Sequence, residues 1–117
     1  MPAFVHPRLE DVPLEAALHA LADPCRLAIV RRLTGEGELS CSAAAAGDVP
    51  KSTLSNHFKI LRAAGLIRTR TAGRDHLSIL RRGEFDSRFP GLLDSVLAQR
   101  GNAPSHGVDI PQPRASR

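Results

Sequence analysis

The chain has 117 residues, of which 42% are apolar, with four Phe and no Trp or Tyr. This length corresponds to one domain, and its core must be built mainly from Leu, Ile, Val and Ala, which favours short packed helices. No apolar run is long enough to span a bilayer, and the first ten residues lack the layout of a signal peptide. We therefore expect a cytoplasmic protein with no membrane partner.

The net charge of +4 is unevenly distributed along the chain. Residues 51–82 carry eight basic side chains and one acidic side chain, a net +7, whereas the rest carries eight basic and eleven acidic side chains. A basic block in an otherwise mildly acidic chain is typical of a surface that binds a polyanion. The alternative is a merely solvated surface, but the block coincides with the motif described below.

The first part of the chain is predicted to form a mobile arm and two helices. Residues 1–12 have little periodicity and contain prolines, which indicates the arm. Apolar residues at helical spacing then predict a first helix, namely Leu14, Ala17, Leu18 and Leu21. Asp23 and Pro24 predict the start of a second helix, because Asp caps free N–H groups and Pro has no N–H to leave unpaired. Gly35 is expected to end it.

The middle of the chain is predicted to form two more helices. The Ala-rich run 40–46 indicates a short third helix that Gly47 ends. A fourth helix is expected at 51–64, with Ser52 as its N-cap and Gly65 after its end. Its apolar face consists of Leu54, Phe58 and Leu61, at positions i, i+4 and i+7.

A basic hairpin is predicted directly after the fourth helix. Two β-prone runs, residues 66–71 and 76–80, flank a glycine-containing turn. Residues 84–99 indicate a last helix that is broken near Pro90 and Gly91, and residues 100–117 predict a disordered tail. We therefore expect a mainly α fold with a small β-hairpin, which is the outline of a winged helix-turn-helix. This domain is expected to span residues 13–99 and to provide both DNA binding and dimerisation.

The side of the fourth helix opposite its apolar face is suited to DNA. Short hydroxyl and amide side chains can approach base edges in the major groove, and Asn can pair with adenine. Basic side chains beside them and on the hairpin can hold phosphates or enter the minor groove. His57 is interpreted as a DNA contact or a packing residue. The predicted DNA-binding residues are Lys51, Ser52, Thr53, Ser55, Asn56, His57, Lys59, Arg62, Arg68, Arg70 and Arg74.

Two segments carry a family resemblance. LADPCRLAIVRRL (residues 21–33) resembles the second helix of ArsR/SmtB regulators, and KSTLSNHFKILRAAGLIRTRTAGRDHLSI (residues 51–79) resembles their recognition helix and wing. The resemblance spans about residues 14–99. It implies a transcriptional repressor that binds an inverted-repeat operator in double-stranded DNA. Each protomer places one recognition helix on the operator. Such a repressor leaves the DNA when an effector binds.

The resemblance also implies a homodimer built from the first and last helices. The last helix carries an apolar stripe that one small domain can scarcely bury alone. The predicted dimer residues are Leu14, Leu18, Leu92, Leu93, Val96 and Leu97.

The effector is left open by the sequence. One family metal site uses two cysteines flanking one residue near the third helix, but here Ser40 and Ser42 flank Cys41. Another uses Asp and His ligands on the last helix, and residues 84–99 contain no His. A nickel or zinc effector would need a different site, whose residues the sequence does not identify. A redox signal through Cys25 and Cys41 and two idle thiols are the alternatives.

The sequence can also be compared with what an enzyme or a protein-interaction module would require. The sequence has no glycine-rich phosphate loop, no nucleophile elbow and no paired carboxylates in a cleft-forming context, so we do not expect an enzyme. An effector-independent regulator, or a protein-interaction module that works with a partner sensor protein, is the remaining alternative. Such a module would be expected to carry acidic or bulky apolar residues on the recognition face, where this chain has Ser52, Thr53, Asn56 and Lys59.

Overall fold

This computed structural model describes residues 4–45 and 48–99. Within these residues the chain forms six α-helices and a three-stranded sheet. In chain order the elements are a 3-10 turn (Leu9–Asp11), α1 (Leu14–Leu21), α2 (Pro24–Glu36), β1 (Leu39–Ser40), α3 (Cys41–Ala44), α4 (Lys51–Ala63), β2 (Ile67–Ala72), β3 (Asp75–Leu80), α5 (Arg82–Arg88) and α6 (Leu92–Ala98). The predicted mainly α, winged helix-turn-helix fold is confirmed. Within the described residues no helix is long and apolar enough to cross a membrane.

The start of α2 is fixed by local chemistry, as predicted. The Asp23 carboxylate accepts hydrogen bonds from the backbone N–H groups of Cys25 and Arg26, and Pro24 occupies the first helical position. The end differs from the prediction, because Gly35 remains helical and the helix ends at Glu36, with Gly37 as its C-cap at a φ of 79°.

The wing is a three-stranded antiparallel sheet rather than a simple hairpin. The strand order is β1-β3-β2, and β1 pairs Leu39 with Ser78. On the other side of β3, Thr69 faces Ser78 and their hydroxyls share a buried hydrogen bond of 2.9 Å. The turn between β2 and β3 has two residues, and its first, Gly73, has a φ of 65°, which favours glycine. This pairing fixes the register of the wing.

The hydrophobic core lies between α2, α4, the sheet and α5. Burial of each large apolar side chain contributes about 1.5–3 kcal/mol. The largest fully buried side chains are those of Phe85, Ile29, Leu61, Leu66, Ile67, Leu93, Val12 and Val30. Because Val12 and Leu93 come from opposite ends of the described chain, both ends of the domain help to close the core.

Residues 4–12, here called the N-terminal strap, pack against the domain. The sequence predicts a mobile arm over residues 1–12, whereas the structure places residues 4–12 against the domain. Leu9 and Val12 are 7% and 1% exposed, and their backbone carbonyls accept hydrogen bonds from the Arg88 side chain at 3.0 and 2.9 Å. The two side chains cover Gly65, where an added Cβ would lie 2.8 Å from a Leu9 methyl group. The apolar residues of the strap explain this packing, whereas its prolines alone predict an arm that does not pack.

The remaining helices are shorter than predicted. Helix α3 ends at Ala44, and its N-cap is Ser40, whose hydroxyl accepts a hydrogen bond from the Ala43 N–H. The predicted break near Pro90 is confirmed, with α6 starting after Gly91, whose φ is 79°. Residues 1–3, 46, 47 and the predicted tail at 100–117 lie outside the described residues.

Candidate nucleic-acid interface

Helix α4 is divided into a buried face and an exposed polar face. Phe58 and Leu61 are 3% and 0% exposed, so they anchor the helix in the core. The opposite face presents a stripe of exposed side chains at helical spacing. This stripe consists of Ser52, Ser55, Asn56 and Lys59. The structure thus leaves short hydrogen-bonding side chains outermost, which is the arrangement that a helix needs to read a major groove.

The first turn of α4 differs from the prediction. Pro50 occupies the N-cap position and no side chain caps the helix, so Ser52 is not the N-cap. Lys51, Ser52 and Thr53 are all exposed. The free N–H groups of this 13-residue helix therefore lie next to a Lys and two hydroxyl groups, an environment that favours phosphate.

His57 lies in a packing position, not on the exposed stripe. Its side chain is 13% exposed, and its Nδ1 lies 3.2 Å from Nη1 of Arg26. Arg26 is itself buried and also donates hydrogen bonds to the carbonyls of Ala20 and His19 at the end of α1. Of the two interpretations of His57, this geometry favours packing, and its role as a DNA contact stays a prediction.

Arg62 lies at the end of α4 under the strap. Its guanidinium carbon is 4.6 Å from the centroid of the Phe4 ring, a cation–π contact. Partial burial lowers the pKa of Arg62 from its ordinary value. The Phe4 ring also meets the edge of His76 on β3, with centroids 5.0 Å apart. One strap residue therefore contacts both the recognition helix and the wing.

The wing arginines differ in their partners. Arg70 donates two hydrogen bonds to the Glu38 carboxylate, at 2.9 and 3.0 Å, and this pairing lowers the pKa of Glu38. Arg68 donates to Glu84 at 3.0 Å. Arg74 is exposed at the wing tip and has no ion pair within the described residues. No local sequence pattern predicts either carboxylate partner, because 32 and 16 residues separate Glu38 and Glu84 from Arg70 and Arg68.

A cleft of about 570 Å³ separates the start of α4 from the wing. Its walls carry hydroxyl groups, the Phe4 and Phe58 rings and two arginines, Arg62 and Arg74. Cys41 also lines this cleft, and its Sγ lies 3.7 Å from the Ser78 hydroxyl. The cleft is thus lined by both cationic and apolar side chains.

A second cluster lies where α2 begins beside α4. One potential ligand atom each from Asp23, Cys25 and His57 lies within 4.8 Å of the others, and all three residues are half-buried. Nε2 of His57 is 3.9 Å from a carboxylate oxygen of Asp23. Burial, followed by the charge of Asp23, raises the pKa of the Cys25 thiol. No local sequence pattern predicts this cluster, because Cys25 and His57 are far apart in the chain. Both Cys25 and Cys41 are free thiols.

Comparison with known proteins places this architecture in a family. Residues 21–70 match the family described as a helix-turn-helix domain. The chain is 43% identical over 97 residues to the uncharacterized HTH-type transcriptional regulator YceK of Bacillus subtilis (strain 168), covering 80% of this chain and 97% of that protein. It is 38% identical over 79 residues to the HTH-type transcriptional repressor SmtB of Mycobacterium tuberculosis, covering 65% and 58% of the two chains.

Solved structures give the same result. An ArsR family transcriptional regulator, RHA00566, aligns with a TM-score of 0.59 at 29% identity, over 73% of this chain and 88% of that one. A possible transcriptional regulator for arsenical resistance aligns with a TM-score of 0.57 at 29% identity, over 72% and 86% of the two chains.

The buried anchor of α4, its polar outer face and the basic wing define a winged helix-turn-helix DNA-binding protein. The chain belongs to the ArsR/SmtB family of transcriptional regulators. Since the relatives are transcriptional regulators, the prediction of a regulator rather than an enzyme is confirmed.

Proposed function

We propose that the protein is a homodimeric repressor that binds an inverted-repeat operator and leaves it when an effector binds. The exposed polar stripe of α4 carries the DNA-binding part of this proposal, because it lies directly opposite the buried Phe58 and Leu61. The relative from Mycobacterium tuberculosis is named as a repressor, which supports the proposed direction of control.

The exposed side chains divide into two roles. Asn56, with Ser52, Thr53 and Ser55 around it, is short enough to hydrogen-bond base edges and so to read sequence. Lys51, Lys59 and Arg62 flank this group and serve as phosphate contacts, which set the register on the duplex. Arg74 at the wing tip is assigned to phosphate or the minor groove. Arg68 and Arg70 must give up their carboxylate partners before they can bind DNA. We therefore expect each of them to contribute less to DNA affinity than Arg74 does.

The proposed dimer surface is formed by α1 and α6. Leu14 and Leu18 are 48% and 45% exposed, which is unusual for leucines in a small domain. Leu92, Val96 and Leu97 of α6 keep part of their surface exposed while packing on the core. Leu93 is 0% exposed within its own chain, so it has no surface left for a partner and is removed from the predicted set.

A metal effector is part of the proposal, although the two familiar site positions do not supply ligands. Ser40 uses its hydroxyl to cap α3. Asp86 and Asp94 of the last two helices both pair with Arg82. A nickel or zinc effector would therefore bind elsewhere on the chain. Regulation without an effector, or through a partner sensor protein, is the alternative.

Fluorescence anisotropy with upstream promoter DNA and a scrambled duplex of equal length tests the proposed function. We expect tighter binding of the promoter duplex and a stoichiometry of two chains per operator. Sedimentation of Leu18→Glu should show a monomer, with the exposed wing variant Ile79→Glu as the matched control that stays dimeric. Equal affinity for both duplexes, or a monomeric wild type at micromolar concentrations, would contradict the proposal.

A further inference from the structure

Three side chains of different chemistry converge where α2 begins beside the recognition helix. Asp23, Cys25 and His57 offer a carboxylate, a thiol and an imidazole, with one ligand atom of each within 4.8 Å of the others. In a tetrahedral zinc site, neighbouring ligand atoms are roughly 3.3–3.6 Å apart, given bonds of 2.0–2.3 Å. The separation of 3.9 Å between Nε2 of His57 and Oδ2 of Asp23 shows that the carboxylate already lies close to the imidazole, although Oδ2 is the oxygen that caps α2. Small side-chain rotations would complete the geometry.

The ligand atoms are not all committed to other contacts. Both backbone N–H groups that Asp23 caps donate to its Oδ2. Its Oδ1 has no hydrogen-bond donor within residues 4–45 and 48–99, so this oxygen is available to a cation. In the same part of the structure Cys25 Sγ makes no hydrogen bond, and His57 uses only Nδ1, for Arg26. Asp23 and Cys25 therefore each keep a ligand atom without a hydrogen bond, whereas His57 can offer Nε2 only after that nitrogen loses its proton.

From this arrangement we infer that Asp23, Cys25 and His57 bind a divalent transition-metal ion, with a water molecule completing the coordination. Sulfur, imidazole nitrogen and carboxylate oxygen together suit zinc, cobalt and nickel better than magnesium or calcium. The ion would join the start of α2 to the middle of α4. The regulatory consequence drawn below rests on the proposed function, whereas the site itself does not.

Metal binding at this site opposes the contact between Arg26 and His57. Arg26 donates to Nδ1 of His57, so the imidazole proton of the neutral ring lies on Nε2. A metal on Nε2 requires the proton to be on Nδ1, where it would face the N–H of Arg26. Two donors cannot share a hydrogen bond, so the Arg26 contact must break. Because His57 lies on the recognition helix, we expect the bound ion to change the position of α4 relative to α2.

Cobalt(II) provides a direct test of the site in the full-length protein. We expect wild type to show a thiolate-to-cobalt charge-transfer band, and Cys25→Ser to lose it. Cys41→Ser is the matched control and should keep the band, because Cys41 lies instead beside Ser78 at the wing. Asp23→Asn retains an N-cap side chain but removes the charge, and should weaken cobalt binding at least about tenfold. Thermal unfolding followed by circular dichroism identifies variants that fail to fold.

Any other pattern overturns the site. Absence of the band in wild type, its persistence in Cys25→Ser, or its loss in Cys41→Ser would each do so. Because the spectrum is recorded without DNA, it tests the metal site even if the proposed DNA-binding function is wrong.

A second measurement tests the coupling to DNA. Without metal, Cys25→Ser should bind promoter DNA like wild type, since Cys25 lies outside the DNA face. Added cobalt(II) should weaken DNA binding by wild type about 5- to 150-fold, the usual range of coupling between sites, and should have no effect on Cys25→Ser. The coupling would be overturned if cobalt(II) weakened DNA binding equally in both proteins. It would also be overturned if cobalt(II) left the DNA affinity of wild type unchanged while the spectrum shows that the ion is bound.

Discussion

Nη1 of Arg26 lies 3.2 Å from Nδ1 of His57, and this contact joins the second helix to the recognition helix. The same guanidinium donates to the carbonyls of Ala20 and His19 at 2.9 and 3.0 Å. Arg26 is only 7% exposed. One buried side chain thus satisfies the end of α1 and holds α4 in position.

Replacing Arg26 with Met should destabilise the domain without creating a large cavity. Each buried acceptor left without a donor costs about 1–3 kcal/mol, so we expect a clear fall in the free energy of unfolding. Arg32→Met is the control, because Arg32 forms an exposed ion pair with Glu36 that contributes about 0.3–0.5 kcal/mol. Urea unfolding measures both. Similar losses in the two variants would show that Arg26 is not a structural link.

Asn56 and Arg74 should fail in different ways when replaced by Ala. Loss of the base contact of Asn56 should cost about 1–3 kcal/mol on the cognate duplex and relax sequence preference. Loss of Arg74 should weaken cognate and scrambled DNA alike and reduce the salt slope by about 1, since one fewer counterion is released. Salt titrations of both variants on both duplexes provide the measurement. If Asn56→Ala lost affinity equally on both, and Arg74→Ala only on the cognate, the assigned roles would be reversed.

Phe4 should support DNA binding without touching DNA. Its ring contacts Arg62 and His76, so Phe4→Ala removes a cation–π contact of about 0.5–1 kcal/mol and loosens the wing relative to α4. We expect weaker binding to both cognate and scrambled duplexes with a small change in melting temperature. Val5→Ala is the control, because the neighbouring Val5 is 81% exposed. Equal effects of the two substitutions would argue that Phe4 has no positioning role.

His6 should make stability depend on pH. Its Nε2 accepts a hydrogen bond from the Thr69 N–H at 3.0 Å, which requires a neutral ring. Burial, followed by the charges of Arg68, Arg81 and Arg62, lowers the pKa of His6 below its ordinary value of 6.5. The unfolded chain therefore takes up the proton first as pH falls. The stabilisation is complete above pH 6.5 and is lost progressively from there down to the folded-state pKa.

His6→Gln isolates this contribution, because Gln can still accept the Thr69 hydrogen bond but does not titrate. Free energies of unfolding measured on either side of pH 6.5 should fall more for wild type than for the variant. Parallel curves for the two proteins would exclude His6 as the source.

Local signals explain which parts of the fold the sequence predicts. Asp23 and Pro24 act on adjacent N–H groups, so the start of α2 could be placed exactly where it occurs. The apolar spacing of α4 likewise identifies its exposed face. Strand β1 has only two residues and exists through pairing with Leu77 and Ser78, far along the chain. Its formation depends on tertiary structure, which no local pattern reveals.

The same distinction applies to the candidate sites. Residue type and spacing place Asn56 and Lys59 on the outer stripe of α4. Spacing alone also put His57 near that stripe, whereas Arg26 holds it inside. The pairing of Arg70 with Glu38 and the approach of Cys25 to His57 require the folded chain. Contacts between distant segments therefore account for most of what the sequence missed.

The strap has a practical consequence for experiments on this protein. The Phe4 ring lies between Arg62 and His76, beside the proposed DNA face. An affinity tag or cloning remnant fused directly before the strap would therefore lie within a few residues of that face. Operator affinities measured with such a fusion would report the tag as well as the protein, and a basic tag would raise binding to any duplex.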